Sequence, residues 1–288
     1  MNETDWIIIE ALYKYKSLSK AGRALYLSQP ALTKRLQHIE KELDVKIAAR
    51  GAKGLYFTPQ GEYLAKRARE VISLLDEVKL KVQTLHGSIS GTLKIGVSIY
   101  FSKYVLPELL QNFRKEYADV DFEVKTGHSS DVYHMLSNKE VHVGFLRSDY
   151  DWQDKKILLF EDKLCLASKE KIKLEQLPEL DMIDYKKDQL LKNMVDKWWT
   201  SHFNVPPNIT MEVGSADICK EMVVRNLGYG LLPYGMIDLK KDRLFVTDLK
   251  REDGTLLKRK TWLYYYDESL SNVIIDTFVE FVKGYTFN

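Results

Sequence analysis

The chain has 288 residues and a formal net charge of +2, with 45% hydrophobic and 29% charged residues. That length predicts two or three domains, no apolar run reaches bilayer length, and the polar, acidic start predicts a chain without a secretory signal. Cys165 and Cys219 lie far apart outside any CxxC pattern, which excludes a disulfide framework and fits a reducing cytoplasm.

Residues 5–16 predict a first helix with Trp6, Ile9, Leu12 and Tyr13 on its apolar face. A second helix begins at Ser19, read as its N-cap, and carries Ala21, Ala24 and Leu25, with Tyr26 and Leu27 covering the turn that follows. Ser28 caps a third helix whose first turn holds Gln29 and Pro30, where a missing N–H costs little. Leu32, Leu36, Ile39 and Leu43 recur at helical spacing and face inward. Gln29, Thr33, Lys34, Gln37, His38 and Lys41 then face outward. Amides, a hydroxyl and cations at one helix end suit base edges and phosphates in a major groove.

Residues 45–55, with Gly51 and Gly54, predict a short two-stranded wing. Thr58-Pro59 opens a helix that runs to about residue 85, Thr58 as N-cap and Pro59 in the first position. Along it Leu64, Ala68, Val71, Leu75, Val78, Val82 and Leu85 alternate intervals of four and three. That is a heptad seam, which predicts a dimer through this helix, against the plainer reading of a helix packed on its own domain. Residues 1–90 carry 15 Lys and Arg against 10 Asp and Glu, the remainder 28 against 31. The basic part coincides with the helical head, as nucleic-acid binding requires.

After a hinge at 86–91, strands at 93–98, 121–125, 141–147, 157–168, 182–184, 209–213 and 229–232 alternate with helices at 106–117, 131–139, 190–203, 216–226 and 271–283. This alternation predicts a parallel sheet covered on both faces. Gly228 is read as capping the 216–226 helix, Gly230 as easing the turn into the next strand, and Pro233 as ending that strand.

Ligands of open α/β sheets sit beyond the carboxyl ends of strands. Three such ends run into hydroxyl-rich helix starts: Ser98 to Ser102, His128 with Ser129, and Ser215. Helix N-termini favour anions, and Arg147 at the end of the 141–147 strand adds a charge. Each serine has the alternative reading of capping its own helix. His142 reads as a packed side chain, and Trp198-Trp199 as helix packing rather than a stacking platform. No catalytic triad, dinucleotide loop or metal-ligand spacing is present, so neither cofactor, metal nor enzymatic activity is expected.

The elements Ala21-Gly22-x-x-Leu25, Ser28-Gln29-Pro30-Ala31-Leu32-Thr33, Ile39-Glu40-x-x-Leu43, Arg50 and Leu55-x-x-Thr58-Pro59-x-Gly61 stand in the order seen at the head of LysR-type transcriptional regulators, which the chain resembles densely over its first quarter and loosely beyond. The resemblance implies a winged helix-turn-helix at 1–58, a linker and dimerisation helix at 59–87, and an α/β effector domain at 92–288 similar to periplasmic binding proteins. Its first subdomain would span 92–166 and 263–288, its second 167–262. It further implies contacts to a two-fold operator through Gln29, Pro30, Thr33, Lys34 and Gln37, joined by Arg50 and Lys53 of the wing. A dimer or tetramer, a small-molecule effector and RNA polymerase complete the implied partners. Cys165 and Cys219 would be either a redox switch, as in some peroxide sensors of the family, or small core residues. One departure stands out: the family's aromatic residue before the wing arginine is missing in Ile47-Ala48-Ala49-Arg50. The rival class is an α/β enzyme or solute-binding protein with a helical N-terminal domain. The heptad and the Ser-Gln-Pro-Ala-Leu-Thr run serve neither.

Overall fold

The computed structural model describes residues 1–51, 54–84 and 89–287; Lys53, Leu85 and the side chains of Arg50 and Val82 lie outside what is described. The chain divides into two units, Met1–Ser88 and Ile89–Asn288.

In the first unit, α1 (Glu3–Tyr15) starts in a capping box between Asn2 and Asp5. Then come α2 (Leu18–Leu25) and α3 (Gln29–Leu43). The N-cap of α2 is Ser17, whose hydroxyl accepts from the Lys20 amide. Ser19, the predicted cap, lies inside the first turn of the helix. Ser28 caps α3 as expected, accepting from the Ala31 amide at 3.3 Å. Ile8, Ile9 and Leu12 of α1 meet Leu32, Leu36 and Ile39 of α3 in one core. Asp5, fully buried, anchors α3 to α1 through a two-pronged ion pair with Arg35. Burial pushes the Asp5 carboxyl up, but the bonds from Arg35 and the Asn2 amide outweigh it and hold it below its ordinary value.

Three expected inward positions turn out otherwise. Leu43 is 39% exposed, because α3 ends there and the chain turns at Asp44 in the left-handed conformation. Ala24 is exposed. Tyr26 does not cover the turn: it is itself the left-handed cap of α2, φ 55°, and 97% exposed.

The wing is β1 (Ala48–Gly51) paired antiparallel to β2 (Gly54–Phe57). Across from Ala48 stands Phe57, whose ring meets Tyr13 edge to face at 5.1 Å. The Lys16 ammonium lies 3.4 Å from the Tyr13 ring centre. So an aromatic from the second strand packs against α1 where the first strand offers only a methyl. The Leu55 amide donates to the Lys16 carbonyl, tying the wing to the end of α1.

Helix α4 (Pro59–Thr84) is capped by Thr58, whose hydroxyl accepts from the Gly61 amide at 3.0 Å. Gly61 is required, since a Cβ there would lie 2.1 Å from the Ile47 carbonyl oxygen. Ala65 and Ala68 are buried in the core of this unit and Leu64 packs on it. The first two positions of the predicted seam therefore face the chain's own domain. Val71 and Leu75 are half-buried, whereas Leu74 is 59% and Val78 53% exposed.

The second unit opens with β3 (Gly91–Ser98), the short α5 (Ile99–Tyr104), α6 (Leu106–Glu116), β4 (Val120–Gly127), α7 (Ser129–Ser137), β5 (Val143–Arg147) and the long β6 (Lys155–Ser168). A second half adds β7 (Met182–Tyr185), α8 (Gln189–His202), β8 (Ile209–Val213), α9 (Ala216–Val224), β9 (Gly230–Pro233), α10 (Leu239–Asp242) and β10 (Phe245–Asp248). The return follows through β11 (Lys258–Tyr265) and α11 (Val273–Gly284).

The main sheet runs β10-β6-β11-β5-β3-β4, with β9 also on β6. It is mixed, not wholly parallel as the alternation suggested. β4 and β5 flank β3 in parallel, but β11 is antiparallel to β5 and β6, and β9 and β10 are antiparallel to β6. The return of the chain from the second half demands those reversals. β6 pairs with β11 up to Lys163 and with β9 from Leu164, so the subdomains change hands at that point of a single strand. The sequence reading put the crossings near 167 and 262. A separate parallel pair, β7-β8, completes the second subdomain.

Gly228 does not cap α9. The helix ends at Val224, Asn226 takes the left-handed position, and Gly228 is needed because a Cβ would lie 2.5 Å from the Asp181 carbonyl oxygen. Gly230 serves close packing, with Cys219 Sγ 2.8 Å from where its Cβ would be.

Candidate functional site

Two surfaces carry chemistry. The first is the outer end of α3. Gln29, Pro30, Lys34 and Gln37 are exposed and Thr33 is half-buried. Ser19 Oγ donates to Gln29 Oε1 at 2.8 Å, which ties the Gln29 side chain to α2 through its oxygen. The Thr33 hydroxyl donates to the Gln29 carbonyl at 2.9 Å. Behind this face, the buried Glu40 carboxylate accepts from the Ile47 amide at 2.9 Å, the Ala48 amide at 3.3 Å and Lys46 Nζ at 2.8 Å. Burial pushes its carboxyl up, but these donors outweigh that and lower it. Glu40 thus fixes the start of the wing to the recognition helix. A helix end of amides beside a positioned wing is the arrangement that reads a major groove and grips its flanking phosphates.

The second is a cleft of about 70 Å³ in the α/β unit, between its two subdomains. The carboxyl ends of β3, β4 and β5 bring Ser98, His128, Ser129 and Arg147 to one wall, and Ser215 at the start of α9 stands on the other. Ser102 is absent from the lining. Its hydroxyl turns back to the Ile99 carbonyl at 2.8 Å within α5, a short helix of its own that ends before the helix predicted at 106–117.

The serines divide by role. Ser215 caps α9 by accepting from the Ile218 amide. Ser129 accepts from the Arg147 amide at 3.0 Å and braces α7 against β5. Ser98 makes no cap bond, and its buried Oγ has no partner. The Arg147 guanidinium lies 3.8 Å from the centre of the Tyr100 ring and gives Nη2 to Asp162 at 3.0 Å, yet its buried Nε has no partner. Burial and the neighbouring Arg259 lower the Arg147 pKa, with Asp162 opposing them.

Among the lining residues that the sequence does not single out, Arg259, Asp188 and Tyr185 carry the most chemistry. Arg259 on β11 is buried, pairs with Asp188, and donates Nε to Ser148 Oγ at 3.0 Å. Asp188 in turn caps α8. Tyr185, last in β7, has a buried hydroxyl without a partner, and burial raises its pKa so that it stays a neutral donor. The strand-end rule applied to β7 would have found Tyr185, and the alternation of Lys258-Arg259-Lys260 marks Arg259 as the inward member. Across the cleft, Tyr104 and Lys103 of α5 both bond to Asp217 of α9.

Other candidates resolve as structure. His142 Nδ1 accepts from the Lys94 amide at 3.1 Å just before β5. Trp198 and Trp199 are buried and donate their indole N–H groups to the Lys250 and Val205 carbonyls. Cys165 and Cys219 are buried, and burial pushes both thiols up to about 12. Among the described residues no group of three or more His, Cys, Asp and Glu is arranged to hold a metal, and no helix is long and apolar enough to cross a membrane.

Comparison with known proteins matches both units of the chain. Residues 4–62 match the bacterial regulatory helix-turn-helix protein, lysR family, and residues 86–286 match the LysR substrate binding domain. The uncharacterized HTH-type transcriptional regulator YraN of Bacillus subtilis is 37% identical over 284 residues, covering 99% of this chain and 98% of that protein. A second Bacillus subtilis regulator, YkuM, is 31% identical over 271 residues, with 93% and 92% covered. Among solved structures, full-length CbnR complexed with its target DNA covers 99% of both chains at TM-score 0.65 and 18% identity. A full-length cysteine-to-aspartate variant of OxyR from Pseudomonas aeruginosa covers 98% of this chain and 95% of its own at TM-score 0.69 and 17% identity. With family models spanning both units and relatives aligned from end to end, the chain belongs to the LysR family of helix-turn-helix transcriptional regulators.

Proposed function

We propose that this regulator binds a two-fold operator as a dimer and takes a small anionic effector in the inter-subdomain cleft. The observation that carries the effector is the pair of buried, unpartnered groups at adjacent strand ends, Ser98 Oγ and Arg147 Nε. A buried polar group without a partner costs about 1–3 kcal/mol. Two of them beside one cleft wall, one belonging to a guanidinium, suit a carboxylate that would satisfy both. Gln29, Thr33, Lys34 and Gln37 would meet base edges and phosphates, with Pro30 setting the helix start and Arg50 and Lys53 on the wing. The exposed stripe of α4 would join two copies, and contacts between effector domains would extend these to a tetramer. An effector that prefers one cleft geometry shifts the population of arrangements the bound dimers present to RNA polymerase in the cytoplasm.

The test is a mobility shift with the DNA flanking the protein's own gene, across a salt series, joined to calorimetry with small carboxylates. Expected are a steep salt dependence, preference for that DNA over random DNA, and anion binding that Ser98→Ala weakens while basal DNA affinity holds. Binding without sequence preference would overturn the operator reading. A cationic ligand, or anion binding indifferent to Ser98→Ala, would overturn the effector reading.

A further inference from the structure

Resting on the reading of the cleft as an anion site, we infer that its occupant is a short dicarboxylate held at both ends, with Tyr185 as the donor on the far wall. Tyr185 is 5% exposed and its hydroxyl has no partner. It lies at the carboxyl end of β7, in the second subdomain, whereas Ser98 and Arg147 lie at the ends of β3 and β5 in the first. The cleft therefore has unsatisfied donors on both walls. A ligand with a single polar head leaves one wall wanting, and that residual cost works against it.

Charge decides what the second head is. The Lys187 ammonium lies 4.2 Å from the centre of the Tyr185 ring, and its ion-pair partner, Asp184, lies outside the lining. Lys186, exposed, also lines this side. Facing them, Arg259 is held by Asp188. A neutral acceptor would satisfy the Tyr185 hydroxyl, but a carboxylate also gains from Lys186, since Asp188 and Asp217, the carboxylates of the lining, are already taken by Arg259 and by Lys103 with Tyr104. The space between the walls is bounded by Ile99, Leu191 and Met236, which suits a few methylenes. The cavity of about 70 Å³ is small beside the usual ligand pocket, so the spacer is short.

The probes are malonate and succinate against propionate and butyrate, titrated calorimetrically into the full-length chain. Succinate is expected to bind at least about 10-fold tighter than butyrate, its equal in carbon number. Tyr185→Phe should erase most of that advantage while leaving butyrate within about 2-fold, and Ser98→Ala should weaken both. The wild-type comparison stands without any variant, so a misfolded Tyr185→Phe does not spoil the test. Butyrate matching succinate, or a folded Tyr185→Phe that keeps the full succinate preference, overturns the inference and leaves an anion site in place. Absence of binding by all four acids and by inorganic phosphate overturns the anion reading as well.

Discussion

Tyr104 on α5 gives its hydroxyl proton to the carboxylate of Asp217 on α9, joining the two walls of the cleft directly. Lys103 brings its ammonium to the same oxygen. Burial and this bond together push the Tyr104 phenol up, so it stays a donor across the physiological range. Asp217→Asn should therefore lower stability by about 1–3 kcal/mol and speed amide hydrogen exchange in α5 and α9 beyond the rest of the sheet. Unchanged exchange in both helices would show that the contact does not hold the cleft.

On the reading head, Thr33→Ala should reduce discrimination between operator and unrelated DNA by about 1–3 kcal/mol. Ser19→Ala, which frees the Gln29 amide to rotate, should act in the same direction but more weakly. Lys34→Ala and Arg50→Ala should weaken binding to both DNAs and flatten the salt slope. Fluorescence anisotropy at several salt concentrations separates these patterns, and wild-type behaviour in every variant would remove α3 from the interface.

Charging the exposed stripe of α4 tests how copies associate. Leu74→Glu with Val78→Glu places two carboxylates on residues that are open to solvent within one chain, so folding of the first unit should survive. Light scattering should then show monomers, with operator affinity lost because two half-sites are no longer held together. A stable dimer would move the interface elsewhere.

His142 makes stability depend on pH. Burial, and then the charge of Lys94, press its pKa from 6.5 down to about 4 in the folded chain. The unfolded chain therefore takes up the proton first as pH falls. Its contribution is complete above about pH 6.5 and drains away toward pH 4, by roughly 3 kcal/mol in all. His142→Gln, which keeps an acceptor for the Lys94 amide, should flatten the thermal unfolding midpoint across that window relative to wild type. An identical pH profile would assign the acid sensitivity to other groups.

Both thiols should be inert in the folded protein. With pKa values near 12 and side chains packed against the Leu232 and Ile183 carbonyls, neither offers thiolate to an oxidant. Alkylating reagents at pH 8 should label Cys165 and Cys219 only after denaturation, and peroxide should leave DNA binding unchanged. Rapid labelling of the native chain would revive the redox alternative.

The head was legible because its chemistry is local. Caps, turns and a helical period lie within a few residues of one another, and Ser28, Thr58 and the Leu32–Leu36–Ile39 face follow from them. Errors there came where tertiary position overrode period, as at Leu43, or where two serines competed for one cap, as at Ser17 and Ser19. In the α/β unit the strand-end rule brought Ser98, Ser129 and Arg147 to the cleft lining, because β3 and β5 are apolar runs and β4 alternates apolar with charged residues, each ending at a helix start or turn. It did not find Arg259, which reaches the cleft only because β11 returns antiparallel beside β5, a pairing across more than a hundred residues. Nor does any local signal show that Ser102 spends its hydroxyl inside α5, or that Ala68 faces its own core, since both depend on helix phase.

The pairing of β6 with β11 sets how the cleft can move. β6 crosses from the first subdomain into the second at Lys163–Leu164, and the chain returns just before Lys258, so the two crossings lie side by side, bonded where the Leu164 amide meets the Leu257 carbonyl. A ribbon of two hydrogen-bonded strands resists stretching and in-plane bending but yields to torsion. The joint is thus a torsion bar. A molecule that touched both walls would set an angle rather than a gap.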